Sequence, residues 1–249
     1  MSRDHRVGMI VPSSNLTMET ELPRMLAARE TAIPGEWFTF HAARARMQHV
    51  TPEQLRAMNA QAERAAAELA DARPDVVATA CLVAIMAQGP GYHCAAEKDI
   101  TNVLRAEGSH APVVSSAGAL LSGIAALGVR RVAIITPYME PLTEAVVAYL
   151  TDAGVEVVDS LSLRVPDNLA VARLDPADLR KHHRRLDLSR AEALVLSACV
   201  QMPSLASIQP VQDEIGLPVL SAATATTHRI LTELGLKPRV PDAGALLSG

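Results

Sequence analysis

An α/β fold made of two similar parallel-sheet units is the architecture this sequence predicts, and three observations carry the prediction. Short runs rich in Val and Ile alternate with longer segments of helical period. Several of the short runs are apolar at every position, as a strand buried on both faces must be. The order of landmarks in the first half then returns in the second. Alternating strand and helix implies parallel pairing through crossover connections.

In order, strands are expected at 7–11, 37–41, 76–80, 113–115, 132–136, 155–161, 194–198 and 219–221. Helices are expected between them at 17–28, 52–71, 95–107, 117–127, 141–153, 176–186, 204–215 and 223–234. Pro52 and Pro176 stand where a first helical turn accepts proline, with Thr51 and Asp175 before them as N-caps. Gly108, Gly128, Gly154, Gly216 and Gly235 stand where helices should stop.

The repetition is explicit. Val-Gly-Met-Ile-Val-Pro-Ser-Ser-Asn (7–15) answers to Val-Ala-Ile-Ile-Thr-Pro-Tyr (132–138), and Asp-Val-Val-Ala-Thr-Ala-Cys (75–81) to Ala-Leu-Val-Leu-Ser-Ala-Cys (193–199). Ala-Pro-Val-Val-Ser-Ser (111–116) answers to Leu-Pro-Val-Leu-Ser-Ala (217–222), and each is followed by a helix ending in Leu-Gly. This reads as two Rossmann-like (flavodoxin-like) units related by a pseudo-two-fold axis, with a ligand cleft between them. Residues 1–116 with 222–249 form the first and 117–221 the second.

Composition bounds the function. With 249 residues, 49% of them hydrophobic and 20% charged, the chain can bury a large core without staples. A net charge of −4 and 2% aromatic residues leave neither a basic face nor stacking platforms for nucleic acid. The basic run Lys181–Arg185 reads as a solvated helix face, with Leu179, Leu186 and Leu188 turned inward. No apolar stretch approaches the roughly 20 residues that span a bilayer, and residues 1–11 hold no signal-peptide pattern, so the cytoplasm is the expected location. The cysteines, 3 in number, form no C-x-x-C pair, and no phosphate-binding or dinucleotide-binding glycine motif is present, so neither metal nor cofactor is expected.

Cys81 and Cys199 each follow a buried-looking strand directly. Ligands of open parallel sheets bind outside the carboxyl ends of strands, so facing halves would bring both thiols to one cleft. Each cysteine precedes apolar residues that open a helical turn, Leu82–Met86 and Val200–Ser204, whose N–H groups would lower the thiol pKa and favour thiolate. Taken singly, either cysteine reads as a small buried hydrophobe; recurrence at equivalent places favours a functional pair. Cys94 has no counterpart and reads as structural. Asn15, Tyr138 and Asn168 follow other strands as neutral donors, although they also suit, respectively, a helix N-cap, a packing aromatic and a turn residue.

Pro-Ser-Ser-Asn (12–15), Ala-Cys-Leu-Val-Ala-Ile-Met (80–86), Thr-Pro-Tyr (136–138), Pro-Asp-Asn (166–168) and Ser-Ala-Cys-Val-Gln-Met-Pro-Ser (197–204) together resemble the Asp/Glu racemase superfamily, and within it most the maleate cis-trans isomerases. The resemblance covers essentially the whole chain. Amino-acid racemases of that superfamily usually carry a small polar residue after each cysteine, where this chain has Leu82 and Val200; arylmalonate decarboxylase keeps only the second cysteine. The resemblance implies a cofactor-independent isomerase acting on a dicarboxylate. Cys81 would add to the alkene, and Cys199 would protonate the neighbouring carbon. Asn15, Tyr138 and Asn168 would grip one carboxylate beside Pro12, while backbone N–H groups near Leu82, Val83 and Val200 hold the other. It also implies a homodimer or larger homo-oligomer. A cover over the cleft is expected from 43–50 or 89–93. Two other readings stay open: a two-cysteine amino-acid or hydantoin racemase, and a non-catalytic dicarboxylate-binding protein.

Overall fold

The computed structural model describes residues 3–249, Arg3 by its backbone alone; residues 1 and 2, counted with the first unit, lie outside them. Among the described residues the strands are β1 (Arg3–Pro12), β2 (Glu36–Ala45), β3 (Val76–Thr79), β4 (Val113–Ser115), β5 (Arg131–Thr136), β6 (Glu156–Ser162), β7 (Ala193–Ser197) and β8 (Val219–Ser221). The helices are α1 (Met18–Ala32), α2 (Pro52–Ala70), α3 (Leu82–Met86), α4 (Tyr92–Ala106), α5 (Ser116–Ala126), α6 (Glu140–Asp152), α7 (Asn168–Ala172), α8 (Leu179–His182), α9 (Leu205–Ile215) and α10 (Ala222–Glu233).

Two sheets form, in the orders β2-β1-β3-β4 and β6-β5-β7-β8. Every ladder pair in both is parallel. The second order repeats the first strand for strand, so the duplicated landmarks occupy equivalent places. The inner strands β3 and β7 are buried at every position, which is why they read as apolar runs broken only by the small hydroxyl residues Thr79 and Ser197 at their ends. The edge strand β6 is only partly buried and carries Glu156, Asp159, Ser160 and Ser162.

Local chemistry explains the helix ends. Thr51 accepts the Gln54 N–H ahead of Pro52, and Asp175 accepts the Ala177 N–H ahead of Pro176. The glycine stops hold as well; at Gly216 the chain leaves α9 with φ +70°, a conformation closed to most side chains. Helix α1 buries Met18, Leu22, Met25 and Leu26, the spacing of one helical face.

Helix α10 follows the second sheet in the chain but packs along α5 and touches α1, β3 and β4. Gly123 permits that approach: a Cβ there would lie 3.2 Å from the Ala225 Cβ and 3.0 Å from a Leu246 methyl.

Three local expectations need correction. The helix expected at 176–186 is broken into a 3₁₀ turn, the short α8 and a second 3₁₀ turn. Within its basic run His183 turns inward, 3.5 Å from Glu214, so the run is not a uniformly solvated face. The helical turn expected after Cys199 is absent: Val200–Ser204 forms a non-helical turn, and α9 begins at Leu205.

Candidate active site

Four strands end side by side and deliver the chemistry. β1 ends on Pro12, β3 runs into Ala80-Cys81, β5 into Pro137-Tyr138, and β7 into Ala198-Cys199. One cavity between the two sheets is lined by Pro12, Asn15, Cys81, Leu82, Val83, Tyr138, Asn168, Cys199 and Val200, so every residue singled out for the site meets there. Met47, Val50 and Gln201 complete the lining. Met47 and Val50 follow the end of β2, so of the two segments expected to cover the cleft, 43–50 contributes to the lining and 89–93 does not. The free volume is about 10 Å³, room for a single water. In this conformation the site is closed.

The thiols are buried, with Cys81 8% and Cys199 5% exposed, whereas Cys94 is exposed and lies on α4. The sequence-based expectation of easy ionisation fails in its net direction. Burial pushes the Cys81 thiol up to about 12, although the Ala84 and Val83 N–H groups of α3 pull the other way. Burial likewise pushes Cys199 up, against hydrogen bonds from the Tyr138 hydroxyl and the Gln201 and Met202 N–H groups. A charge on Cys199 raises Cys81 further, so the cavity favours at most one thiolate at a time. Tyr138 is also pushed well above its ordinary value, by burial first and then by the two sulfurs, so its hydroxyl keeps its proton and donates.

The neutral donors are held in defined orientations. Asn15 Oδ1 accepts the N–H groups of Thr17 and Met18, each at 2.9 Å, capping the start of α1. That use of the oxygen sets the Asn15 amide orientation and leaves Nδ2 as the group to donate into the cavity. The same side chain therefore caps α1 and lines the cavity. Asn168 Nδ2 donates to Ser14 Oγ at 2.7 Å, across the two halves. Tyr138 also reaches the Ala198 carbonyl at 3.4 Å. No Arg or Lys lines the cavity.

The halves are stitched beside the site. Glu21 on α1 accepts the N–H groups of Ser204 and Leu205 at 2.6 and 2.7 Å, so a buried carboxylate of one half caps α9 of the other. Burial raises the Glu21 pKa, with those hydrogen bonds opposing. Gln201 bonds to both the 14–16 segment and Asn168. Sequence reasoning quoted Gln201 inside a motif but gave it no role; its one signal was a polar side chain in the run Val200-Gln201-Met202, which the matching Leu82-Val83-Ala84 lacks.

Comparison with known proteins fits this geometry. The profile of the arylmalonate decarboxylase family matches residues 7–247. The maleate isomerase of Geobacillus stearothermophilus is 58% identical over 249 residues, 100% of this chain and 99% of that protein. An alanine-for-cysteine variant of the maleate isomerase of Pseudomonas putida S16, crystallised with maleate, superposes with a TM-score of 0.98 at 51% identity, over 99% of this chain and 98% of that one. A serine-for-cysteine variant of the Nocardia farcinica maleate cis-trans isomerase, carrying a covalently bound succinylcysteine intermediate, superposes with a TM-score of 0.94 at 49% identity, over 98% of each chain.

Proposed function

The chain belongs to the arylmalonate decarboxylase family and stands with the maleate isomerases inside it, and from that premise we propose that it converts maleate to fumarate through a succinyl-cysteine formed on Cys81. The observation that carries this reading is the meeting of two thiols from duplicated strand ends in one closed cavity lined by neutral donors.

Maleate has an electron-poor double bond, and its isomerisation needs temporary single-bond character between C2 and C3. Addition of Cys81 Sγ to one alkene carbon supplies it, with negative charge developing on the carboxylate at the far carbon. Backbone N–H groups at Leu82, Val83 and Val200 stabilise that charge. Cys199 passes its proton to the neighbouring carbon and takes up the proton that Cys81 releases. The net step is addition of one S–H across the double bond, and the total charge is unchanged. That balance suits a pocket that tolerates only one thiolate.

The adduct rotates about C2–C3 while Asn15, Tyr138 and Asn168 keep hold of one carboxylate. A bidentate Arg on each carboxylate would resist that rotation, and none lines the cavity. Elimination reverses the addition: as the C–S bond breaks, Cys199 returns its proton to Cys81 and takes the proton of the neighbouring carbon, so fumarate is released and both thiols end protonated, as microscopic reversibility requires. Closure excludes water from the adduct.

The same reading includes a homodimer or larger assembly, supported by exposed Leu16, Trp37, Met139 and Leu169, and a cytoplasmic location. No helix among the described residues is long and apolar enough to cross a membrane.

The decisive experiment incubates a Cys199→Ala variant with maleate and measures intact mass, followed by peptide mapping. The expected result is one maleate-sized addition located on Cys81. Absence of an adduct on Cys81 in that variant, with an adduct on Cys199 in a Cys81→Ala variant, would reverse the assigned roles. Absence of maleate turnover by the wild-type protein would remove the reading altogether.

A further inference from the structure

Gln201 lies in the cavity wall, 3% exposed, and every polar atom of its side chain is engaged. Oε1 accepts the Leu16 N–H at 2.9 Å. Nε2 donates to the Ser14 carbonyl at 2.9 Å and to the Asn168 carbonyl at 2.8 Å. Its backbone is committed too: the carbonyl accepts from Thr17 Oγ1 at 2.7 Å, and the N–H donates to Cys199 Sγ at 3.3 Å. Asn15 therefore sits between two residues that Gln201 holds, and Asn168 is held directly. One side chain spans the 14–16 segment of the first half and the start of α7 in the second.

We propose that Gln201 is a positioning residue for the reaction, setting the separation of Asn15 and Asn168 so that both amides meet the same substrate carboxylate. This rests on the dicarboxylate reading above. The site needs an acceptor for one N–H and donors for two carbonyls on a single short stem, which a carboxamide supplies and a carboxylate does not. Gln201→Glu preserves shape and the Leu16 contact but sets an oxygen against the Ser14 and Asn168 carbonyls. Gln201→Met preserves length and removes all three bonds. The two Asn amides grip the carboxylate in the ground state and the transition state alike, so misplacing them weakens uniform binding and appears in KM.

The test compares wild type, Gln201→Glu and Gln201→Met by steady-state kinetics with maleate, calorimetric titration with succinate, which cannot undergo addition, and thermal melting. The expected result is that KM for maleate and Kd for succinate rise together at least about tenfold, a loss near 1.4 kcal/mol, while kcat falls less than about threefold. A role in stability alone would lower Tm and the active fraction, and so kcat, with KM unmoved; that outcome overturns the proposal. So does wild-type behaviour in both variants, or failure of both to fold. A wild-type protein that binds succinate without isomerising maleate overturns the proposed function, and the succinate Kd ratio still judges Gln201. A wild-type protein that does neither overturns both.

Discussion

Alkylation of the resting protein with iodoacetamide tests the balance between burial and helix-end N–H groups at Cys81. Its thiol is pushed up to about 12. At pH 8 such a thiol is ionised to about one part in 10,000, against roughly a quarter of a free cysteine with a pKa near 8.5. The scarcer thiolate is intrinsically more nucleophilic, by about 40-fold at a Brønsted slope near 0.45. Ionisation alone therefore makes Cys81 react about 60-fold more slowly than free cysteine. The assay puts protein and N-acetylcysteine in one tube, quenches at intervals and quantifies labelled peptides by mass spectrometry. Exposed Cys94 should label first. Shielding by the closed cavity slows labelling equally at every pH, whereas ionisation makes the Cys81 rate climb about tenfold per pH unit from 8 to 10. Labelling of Cys81 at pH 8 within about threefold of N-acetylcysteine would show that the α3 N–H groups outweigh burial, and the reasoning would fail.

Three further outcomes are expected. Tyr138→Phe removes the hydroxyl that donates to Cys199 in the ligand-free site and, in the proposed reaction, turns to the substrate carboxylate; a hydrogen bond to a charged group is worth about 1.5–3 kcal/mol, so kcat/KM should fall about 10-fold to 150-fold with Tm nearly unchanged, and wild-type turnover would dismiss that role. Glu21→Ala strands the Ser204 and Leu205 N–H groups and should cost about 1–3 kcal/mol in urea unfolding. The folded state holds the Glu21 proton more tightly than the unfolded chain does, so the contribution of Glu21 is fullest below the unfolded carboxyl value and declines as pH rises through the raised folded one; Glu21→Gln should lack that decline when urea midpoints are compared across the acid range. Gly244→Ala places a Cβ 2.5 Å from the Val219 carbonyl oxygen at φ +84° and should cost about 1–3 kcal/mol; an unaltered Tm would contradict the packing.

The parts of this architecture legible in the sequence are those written in local pattern. β3 and β7 announce themselves because burial on both faces demands apolar residues up to the closing Thr79 and Ser197, and the duplication marks Cys81 and Cys199 as a pair. Asn15 was legible as a cap because a β1 end followed directly by α1 requires one. What depends on distant neighbours was not legible. Met47 and Val50 reach the cavity only through the path taken after β2. The thiol ionisation turned on how much protein surrounds each sulfur, which no motif states. Gln201 had no repeat partner to mark it, and its partners lie more than 180 and about 30 residues away along the chain.

The placement of α10 bears on how the chain assembles during synthesis. The surface over β3 and β4 is completed by residues 222–233, which leave the ribosome after both sheets have been translated. The nascent first half therefore waits with apolar surface uncovered, and the shelf that carries Cys81 gains its last support late.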